Sequence, residues 1–441
     1  MRVPRVRVLK FGGAALRDGP AVGHAARIVR DFGGENPLVV VSAHEGVTAQ
    51  LERSVDEALE GRLDWDPLRI RHRTLLCQLE LPGDLLDRHL SELRAILETL
   101  RTSPDPDPRF RDFVLSFGER MSARVFAAAL RREGMEATPL DATDLGLVKA
   151  VGTRGLPEKA PDAVVHALRR VSGVPVVTGF LALDGEGYLT TLGRNGSDLT
   201  AAWFGAALRA EEIQLWKRVP GLMTADPRLV PRARHLPRLS WDEAGELARH
   251  GSGVLHPDSI EPAQRARTTI HLRDLENAAG PGSRITDEEP TAHPGVTAIA
   301  HRTGVASLRI PFADDSGRSS QLEDLFGALT AAGIDPYAGV IGPDAVELLL
   351  TEGRSLTQAA RARFPQGLLV PELATVTVIG RGLDEHAETQ AAIDEASKLG
   401  AREVRCELTS GATERRSRVL LSSRAAVEGL VQRLHTRFFE N

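Results

Sequence analysis

The chain has 441 residues and a formal net charge of −5, and 42% of its residues are hydrophobic while 26% are charged. This length is enough for two to four domains, and the slightly acidic balance excludes a strongly basic surface for nucleic acid or an acidic membrane. Cys77 and Cys406 lie far apart, so we expect no disulfide framework and no cysteine zinc site, and the 13 histidines show no HxxxH spacing that would predict another metal site. We also expect neither a signal peptide nor a membrane span, which favours the cytoplasm.

The first forty residues predict two strands separated by a glycine turn and a helix. One strand ends at Lys10 and leads into Gly12 and Gly13, and residues 38–41 form an apolar run typical of a strand covered on both faces. Lysine occupies only five positions in a chain with 55 basic residues, so Lys10 directly after a strand indicates a need for a compact ammonium group. This alternation predicts a mostly parallel α/β sheet with ligands beyond the carboxyl ends of its strands.

The middle of the chain predicts a helical block and then a second glycine turn. Residues 51–112 predict mostly helix, and the apolar run 174–177 predicts another buried strand. The turn at 190–198 contains an arginine and opens an Ala-rich helix, and the free N–H groups of a helix N-terminus suit an anionic substrate. A plain turn with Ser197 or Asp198 as the helix N-cap is the alternative for this stretch taken alone.

The C-terminal part of the chain has a different pattern. Residues 280–295 are rich in Pro, Gly and charge and predict the main domain boundary. Beyond it, short strands alternate with amphipathic helices, and the pattern then recurs, which predicts two β-α-β-β-α-like units in tandem. We expect such small ferredoxin-like modules to bind ligands or to pair with partners rather than to catalyse a reaction.

Several stretches, taken in order, resemble motifs of the aspartate kinases in the amino-acid kinase family. They are residues 10–13, 41–48, 118–122, 190–198, 219–228 and 253–257. Residues 299–305 and 434–439 are similar to the start and end of that family's paired ACT regulatory domains. The resemblance implies an amino-acid-kinase-like domain at 1–285, in which helices sandwich a mostly parallel sheet, followed by ferredoxin-like βαββαβ (ACT) domains at 295–368 and 369–441.

The resemblance also implies a reaction, in which the γ-phosphoryl group of ATP passes, with Mg²⁺, to the side-chain carboxylate of L-aspartate. A carboxylate is ionised at neutral pH and needs no general base, so this chemistry depends on positioning and charge neutralisation. Lys10 and Asp198 are implied as the catalytic pair, with Lys10 on the transferring phosphoryl group. The sequence contains no GxxxxGK[ST] loop, so the glycine turn at 10–13 would approach the phosphates in another way.

The same resemblance assigns the binding residues, with Arg194 on the α-carboxylate of the amino acid and Glu119 on its α-ammonium. The residues for the amino acid are Ser42, Ala43, Thr48, Glu119, Phe180, Arg194 and Ser197. The residues for the nucleotide are Lys10, Gly12, Gly13, Lys217, Arg218, Met223, Asp226, Pro227 and Arg228. Taken singly, a surface ion pair for Glu119 and a core ring for Phe180 are ordinary alternatives, but the order of the motifs favours the binding roles.

The nucleotide side departs from the family pattern more than the amino-acid side. Ala14 and Ala15 replace a Thr-Ser pair, Lys217 and Arg218 replace Thr-Asp, and Gly253 stands where a lysine is expected. One explanation is an active kinase in which Lys217 and Arg218 supply the charge lost at Gly253. The alternatives are a catalytically impaired regulatory homologue that still binds an amino acid, and a kinase of a different acidic amino acid.

The regulatory half departs from the family as well. Residues 334–343 differ from the signature of the first ACT domain, so the identity of a feedback effector does not carry over. The resemblance still implies an amino-acid effector at the ACT domains. It also implies a homodimer or higher homo-oligomer, because pairing of ACT domains needs only strand edges and helix faces.

Overall fold

The computed structural model divides into two compact units, which are described separately. The described residues are 6–103, 107, 109–149, 156–157, 162–193, 195–251, 253–287, 295–312, 318–331, 334, 336–351, 362, 364–404 and 416–440. The first unit comprises Met1–Leu222, Pro237–Trp241 and Asp258–Glu288. The second unit comprises Met223–Leu236, Asp242–Pro257 and Glu289–Asn441.

Twelve strands and nine α-helices occupy the described residues up to 286, and four of these helices follow one another between the second and third strands. The strands are β1 (Val6–Phe11), β2 (Asn36–Val41), β3 (Ala137–Leu140), β4 (Val174–Thr178), β5 (Leu181–Leu183), β6 (Leu189–Thr191), β7 (Glu212–Lys217), β8 (Leu222–Met223), β9 (His235–Leu236), β10 (Arg238–Ser240), β11 (Ile270–Asp274) and β12 (Ser283–Thr286). The helices are α1 (Gly19–Phe32), α2 (Val47–Leu59), α3 (Asp66–Gln78), α4 (Asp87–Thr102), α5 (Arg109–Arg132), α6 (Asp162–Arg169), α7 (Gly196–Ala207), α8 (Trp241–His250) and α9 (Pro257–Ala266).

Eight strands of the first unit form one sheet in the order β10-β12-β11-β7-β1-β2-β4-β3. All neighbouring pairs are parallel except β11 with β12. The apolar run in β2 is buried along its length, as is expected of a strand covered on both faces. The mostly parallel sheet predicted from the sequence is therefore confirmed. Because parallel strands share one direction, the carboxyl ends of β1, β2 and β7 lie at the same edge.

Helix α5 is longer than the sequence predicted. The Ala-rich residues 122–132 predict a helix from the sequence, and the helix observed there starts at Arg109 and runs for 24 residues to Arg132. Gly118 lies inside this helix. A Cβ atom at this position would sit 2.8 Å from the Cβ of Ala43, which is closer than side chains pack, so the position requires glycine. The absence of a side chain at Gly118 lets α5 approach the turn after β2, and the next residue, Glu119, reaches that turn.

The second unit contains a six-stranded antiparallel sheet. Its elements are β13 (Gly295–Pro311), α10 (Arg318–Ala331), β14 (Pro336–Ile341), β15 (Ala345–Thr351), β16 (Leu368–Arg381), α11 (Ala387–Lys398), β17 (Arg402–Val404), β18 (Ser417–Ser423) and α12 (Val427–Phe439). The strand order is β14-β15-β13-β16-β18-β17. The β-α-β-β succession occurs twice and agrees with the ferredoxin-like ACT fold expected from the resemblance. The boundary between two domains near residue 368 stays a prediction.

The helices of the second unit pack on its sheet through apolar side chains. Helix α10 contributes Leu325 and Leu329 to a cluster with Leu308 of β13. Helix α12 contributes Leu430 to another cluster, which includes Val376 of β16. Within the described parts of both units, no helix is long and apolar enough to cross a membrane.

Candidate active site

A cavity of about 620 Å³ lies beyond the carboxyl ends of β1 and β2 in the first unit. Nine of the residues predicted to bind substrates line it, namely Lys10, Gly12, Gly13, Ser42, Ala43, Thr48, Glu119, Phe180 and Ser197. They come from strand ends, from the N-terminal turns of α2 and α7, and from α5. The parallel sheet brings these distant segments to one edge, where ligands bind in open α/β folds.

Two side chains that line the same cavity lie outside the motifs found in the sequence, Glu52 and Leu115. Glu52 follows Thr48 by one helical turn in α2, and Leu115 precedes Glu119 by one turn in α5. Residues four apart share a face of a helix. That spacing was the signal that could have found both side chains.

Asp198 pairs with two lysines from neighbouring strands. Lys10 Nζ lies 2.5 Å from Asp198 Oδ1, and Lys217 Nζ lies 2.8 Å from Asp198 Oδ2. Strands β1 and β7 are parallel partners, so both lysines reach the N-terminal turn of α7 from the carboxyl ends of their strands. We call these three residues the lysine–aspartate cluster. The three groups together carry a net charge of +1, which attracts an anion.

The environment of the lysine–aspartate cluster fixes its ionisation. Burial by itself would raise the pKa of the Asp198 carboxyl, but the two ammonium groups outweigh burial and hold that pKa well below its usual range. Burial lowers the pKa of the Lys10 ammonium; Asp198 opposes this effect and Lys217 adds to it. Asp198 is therefore ionised at neutral pH and is too weak a base to accept a proton in catalysis.

Glu119 is a second buried carboxyl group, and it has a different environment. Its Oε1 accepts a hydrogen bond of 2.9 Å from the backbone N–H of Ala43, and its Oε2 has no hydrogen-bond partner among the described residues. The residue is only 3% exposed, and burial raises the pKa of Glu119 to about 8, although the Ala43 N–H and Lys10 oppose the rise. A buried carboxyl oxygen without a partner is costly, so this site is suited to a ligand that donates hydrogen bonds or carries positive charge.

Phe180 reaches the cavity wall through an unusual backbone conformation. Its φ is +66°, which a bulky side chain rarely adopts. The Phe180 N–H donates to Thr200 Oγ1 at 3.2 Å, and its carbonyl oxygen accepts from the Leu192 N–H at 2.8 Å. These bonds hold the strained backbone in place. Beside it, the Ser42 hydroxyl donates to Ser197 Oγ at 3.0 Å and joins the turn after β2 to α7.

The remaining predicted residues do not line this cavity or lie outside the described residues. Arg194 belongs to the latter group. The side chain of Arg218 is 52% exposed and pairs with Glu276 at 3.1 Å. Met223, Asp226, Pro227 and Arg228 belong to the second unit, where the Asp226 carboxylate pairs with the Arg228 guanidinium at 2.6 Å. The roles of these residues in substrate binding stay predictions.

Known proteins resemble the chain in both sequence and structure. Residues 5–274 match the sequence profile of the amino acid kinase family. Aspartokinase 1, chloroplastic, of Arabidopsis thaliana is 31% identical over 98% of this chain and 80% of its own length. Aspartokinase 2, chloroplastic, of the same plant is 31% identical over 84% of this chain and 71% of its own.

Solved structures agree with these sequence relatives. E. coli aspartokinase III in complex with aspartate and ADP (R-state) has a TM-score of 0.82 and 25% identity, over 98% of this chain and all of its own. Its complex with lysine and aspartate (T-state) has the same fold, with a TM-score of 0.75 and 24% identity over 98% of this chain and 99% of its own. The chain therefore belongs to the amino acid kinase family and, within it, to the aspartokinases.

Proposed function

We propose that this aspartokinase transfers the γ-phosphoryl group of ATP to the side-chain carboxylate of L-aspartate, giving 4-phospho-L-aspartate and ADP. The observation that carries this proposal is one cavity lined both by Lys10 of the lysine–aspartate cluster and by Glu119, whose Oε2 has no hydrogen-bond partner among the described residues. ATP supplies phosphate anions for the first group, and aspartate supplies an ammonium for the second. The E. coli relative in complex with aspartate and ADP supports the same pair of ligands.

On the acceptor side, we assign the α-ammonium of aspartate to Glu119. The free Oε2 lacks a donor, and an ammonium supplies one while its charge stabilises the ionised carboxylate. Arg194 on the α-carboxylate is assigned from the family resemblance, because a guanidinium matches a carboxylate with two parallel hydrogen bonds. The other proposed acceptor residues, which line the same cavity, are Ser42, Ala43, Thr48, Phe180 and Ser197.

On the donor side, Lys10 stabilises the charge of the transferring phosphoryl group, and Asp198 holds the ammonium groups of Lys10 and Lys217 in position. An oxygen of the aspartate side chain forms the new bond to phosphorus, and the bond from that phosphorus to ADP breaks. The attacking carboxylate is already ionised, so no protein base is required. A Cβ at Gly13 would lie 3.2 Å from the carbonyl oxygen of Ala43, so glycine permits this tight turn beside the cavity.

Mg²⁺ belongs to the phosphates of the nucleotide in this proposal. The ion keeps several waters and binds proteins through one or two carboxylates together with substrate phosphates. Over the described ranges, no group of three or more His, Cys, Asp or Glu residues could hold a metal ion. Asp198 is already engaged by two lysines. We therefore assign the ion to the ATP phosphates rather than to a cage of protein ligands.

Lys217 favours an active kinase over an impaired regulator. It replaces a threonine of the family pattern, and its ammonium lies on the same carboxylate as that of Lys10. A second cation at Asp198 offsets the positive charge that the chain lacks at Gly253. In this proposal, the divergent residues on the nucleotide side form an altered phosphate site that still has two lysines, Lys10 and Lys217.

A hydroxamate assay tests the proposed reaction. Purified protein is incubated with ATP, MgCl₂, L-aspartate and hydroxylamine, which traps an acyl phosphate. We expect aspartyl hydroxamate that depends on ATP, and only background product from L-glutamate, which is longer, and from succinate, which lacks the ammonium for Glu119. Product from L-glutamate alone would identify L-glutamate, rather than L-aspartate, as the acceptor substrate. No product from any acid, with calorimetric binding of an amino acid and no measurable nucleotide binding, would instead favour the impaired regulator.

An amino-acid effector at the ACT domains, a homodimer or higher homo-oligomer, and a cytoplasmic location are also part of this proposal. Light scattering at several protein concentrations should give at least twice the mass of one chain, and a monomer mass throughout would contradict the dimer. Adding each of the common amino acids to the hydroxamate assay at fixed ATP should identify an effector by reduced product.

A further inference from the structure

The last helix of the chain holds a predicted nucleotide-binding segment within the second unit. This segment, Met223–Leu236, runs from the last residue of β8 to the end of β9, and we call it the β8–β9 segment. It contains Asp226 and Arg228, which the family resemblance assigns to the nucleotide. Its partner is α12 with the residue that follows it, Glu440, more than 200 positions further along the chain.

A series of polar contacts, with the buried pair Thr224 and His435 at its centre, runs from the base of the β8–β9 segment to Glu440. The Arg234 N–H donates to Thr224 Oγ1 at 2.8 Å, and the Thr224 N–H donates to the Arg234 carbonyl oxygen at 2.9 Å. Thr224 Oγ1 lies 3.0 Å from His435 Nε2, and His435 Nδ1 lies 3.1 Å from Glu440 Oε1. Thr224 is 3% exposed and His435 is fully buried. These contacts hold the two ends of the segment together and connect the segment to α12.

The donors and acceptors in this series of contacts are all matched by one tautomer of a neutral His435 imidazole. An ionised Glu440 only accepts hydrogen bonds, so the Nδ1 of His435 carries the proton and donates it. Nε2 is then an acceptor and receives the hydroxyl hydrogen of Thr224. The Thr224 oxygen remains available for the Arg234 N–H. Each group satisfies its neighbour, which fixes the ring and the hydroxyl in one orientation.

Further contacts hold the same segment on both sides of Asp226. Gln432 Nε2 donates to the Leu229 carbonyl oxygen at 2.9 Å. Ala225 and Val230 share an apolar cluster with Leu430 and Leu434 of α12. Two outer contacts come from the arginines of the segment, since Arg232 pairs with Glu440 at 3.1 Å and Arg234 donates to the Phe439 carbonyl oxygen.

We infer that His435 is a positioning residue for nucleotide binding, acting through Thr224 on the backbone that presents Asp226 and Arg228. Asp226 lies two residues beyond Thr224, and its carbonyl oxygen accepts from the N–H groups of Leu229 and Val230. A shift at Thr224 therefore moves the turn that carries both predicted ligands. This inference rests on the proposed function, because it assigns nucleotide contacts to the segment.

The test compares His435→Ala, His435→Gln and Arg433→Ala in the full chain. Arg433 is an exposed residue of the same helix and serves as the control. We expect His435→Ala to raise the ATP KM and the ADP Kd roughly tenfold while the aspartate KM stays within about twofold. His435→Gln keeps a polar group towards Thr224 and should recover part of the affinity. Arg433→Ala should match the wild type.

Thr224→Val supplies a second measurement if His435→Ala fails to fold. It removes the hydroxyl and keeps the shape, so it should weaken ADP binding to a similar extent. In a double-mutant cycle, adding His435→Gln to Thr224→Val should change ADP affinity less than His435→Gln does in the wild type. Additive effects would overturn the inference.

Equal rises in the KM of ATP and aspartate would assign His435 a purely structural role and would also overturn the inference. Calorimetric ADP binding needs no turnover, so it separates this inference from the proposed reaction. A wild-type chain that binds ADP but phosphorylates no acid would contradict the proposed function alone, and the ADP affinities of the variants would still decide the role of His435.

Discussion

Two buried carboxyl groups of the first unit, Asp198 and Glu119, are driven to opposite ionisation. Asp198 lies between the ammonium groups of Lys10 and Lys217, and its pKa falls well below the usual range. Glu119 is buried beside a backbone N–H and its pKa rises to about 8. The pKa values of these two carboxyl groups thus differ because Asp198 has charged partners within 3 Å and Glu119 does not. Titratable groups pushed apart in this way identify separate roles in a site.

The difference indicates what each region does before a ligand binds. The lysine–aspartate cluster already has its ion pairs, so it is organised in the absence of substrate and suits stabilisation of a transition state. The Glu119 site has an oxygen without a partner among the described residues, so it is suited to a ligand that donates a hydrogen bond. Changes in the cluster should therefore reduce turnover, whereas changes at Glu119 should reduce acceptor affinity.

Lys10→Ala should have the largest effect and would show whether the cluster serves turnover. We expect kcat to fall on the order of 10³-fold, because the transferring phosphoryl group loses a preorganised cation. Release of ADP in a coupled assay measures the change. Arg7→Ala, on the same strand and paired near the surface with Glu211, is the control and should stay within about twofold. If Lys10→Ala lowered kcat less than tenfold, the lysine–aspartate cluster would have no major role in catalysis.

Glu119→Gln should raise the aspartate KM on the order of 10²-fold and leave the ATP KM unchanged. The amide keeps the shape and can still accept from the Ala43 N–H, but it carries no charge for an ammonium. Glu52→Gln makes the same chemical change at an exposed carboxylate of the same cavity and should change the KM about threefold or less. Equal effects of the two substitutions would refute the assignment of Glu119.

Lys217→Ala should lower kcat about 30-fold, since it removes one of the two cations on Asp198. The neighbouring Arg218→Ala is the matched comparison: the resemblance assigns Arg218 to the nucleotide as well, but its side chain is half exposed and pairs with Glu276. It should change kcat less than about twofold, as is usual for a surface ion pair. If the two variants lost activity equally, the charge at residues 217–218 would act collectively rather than through Asp198.

The pH dependence of acceptor binding should follow Glu119. Below pH 8 its carboxyl is mostly protonated, so binding of an ammonium must release that proton, and the aspartate KM should fall up to about tenfold per unit as pH rises towards 8. Glu119→Gln should abolish this slope. A slope that survives in the variant would place the titrating group elsewhere.

The same carboxyl group should also affect stability with pH. Its folded pKa lies above the ordinary value of 4.5, so its contribution to stability is complete below pH 4.5 and is lost as pH rises through about 8. The difference obtained by subtracting the Tm of the wild type from that of Glu119→Gln should therefore be larger at pH 9 than at pH 6. Thermal unfolding of both proteins at the two pH values measures this difference.

The sequence predicted the features that depend on short stretches of chain. The strand that ends at Lys10, the buried run at 38–41 and the turn before α7 follow from local patterns of apolar residues and glycine. Most predicted acceptor residues sit directly after strands or at helix starts, so they line the cavity as expected. Helix α5 extended further than predicted, since tight packing of Gly118 against Ala43 outweighs the low helix propensity of glycine.

By itself, the sequence determined the strand–turn–helix order, the ordered family motifs and most of the side chains that line the cavity. Only the tertiary structure decided that Lys217 shares Asp198 with Lys10, because this requires β7 to pair with β1, from which it is distant in the sequence. It also decided the opposite ionisation of Asp198 and Glu119, since burial and the distance to a counter-charge are properties of the folded chain.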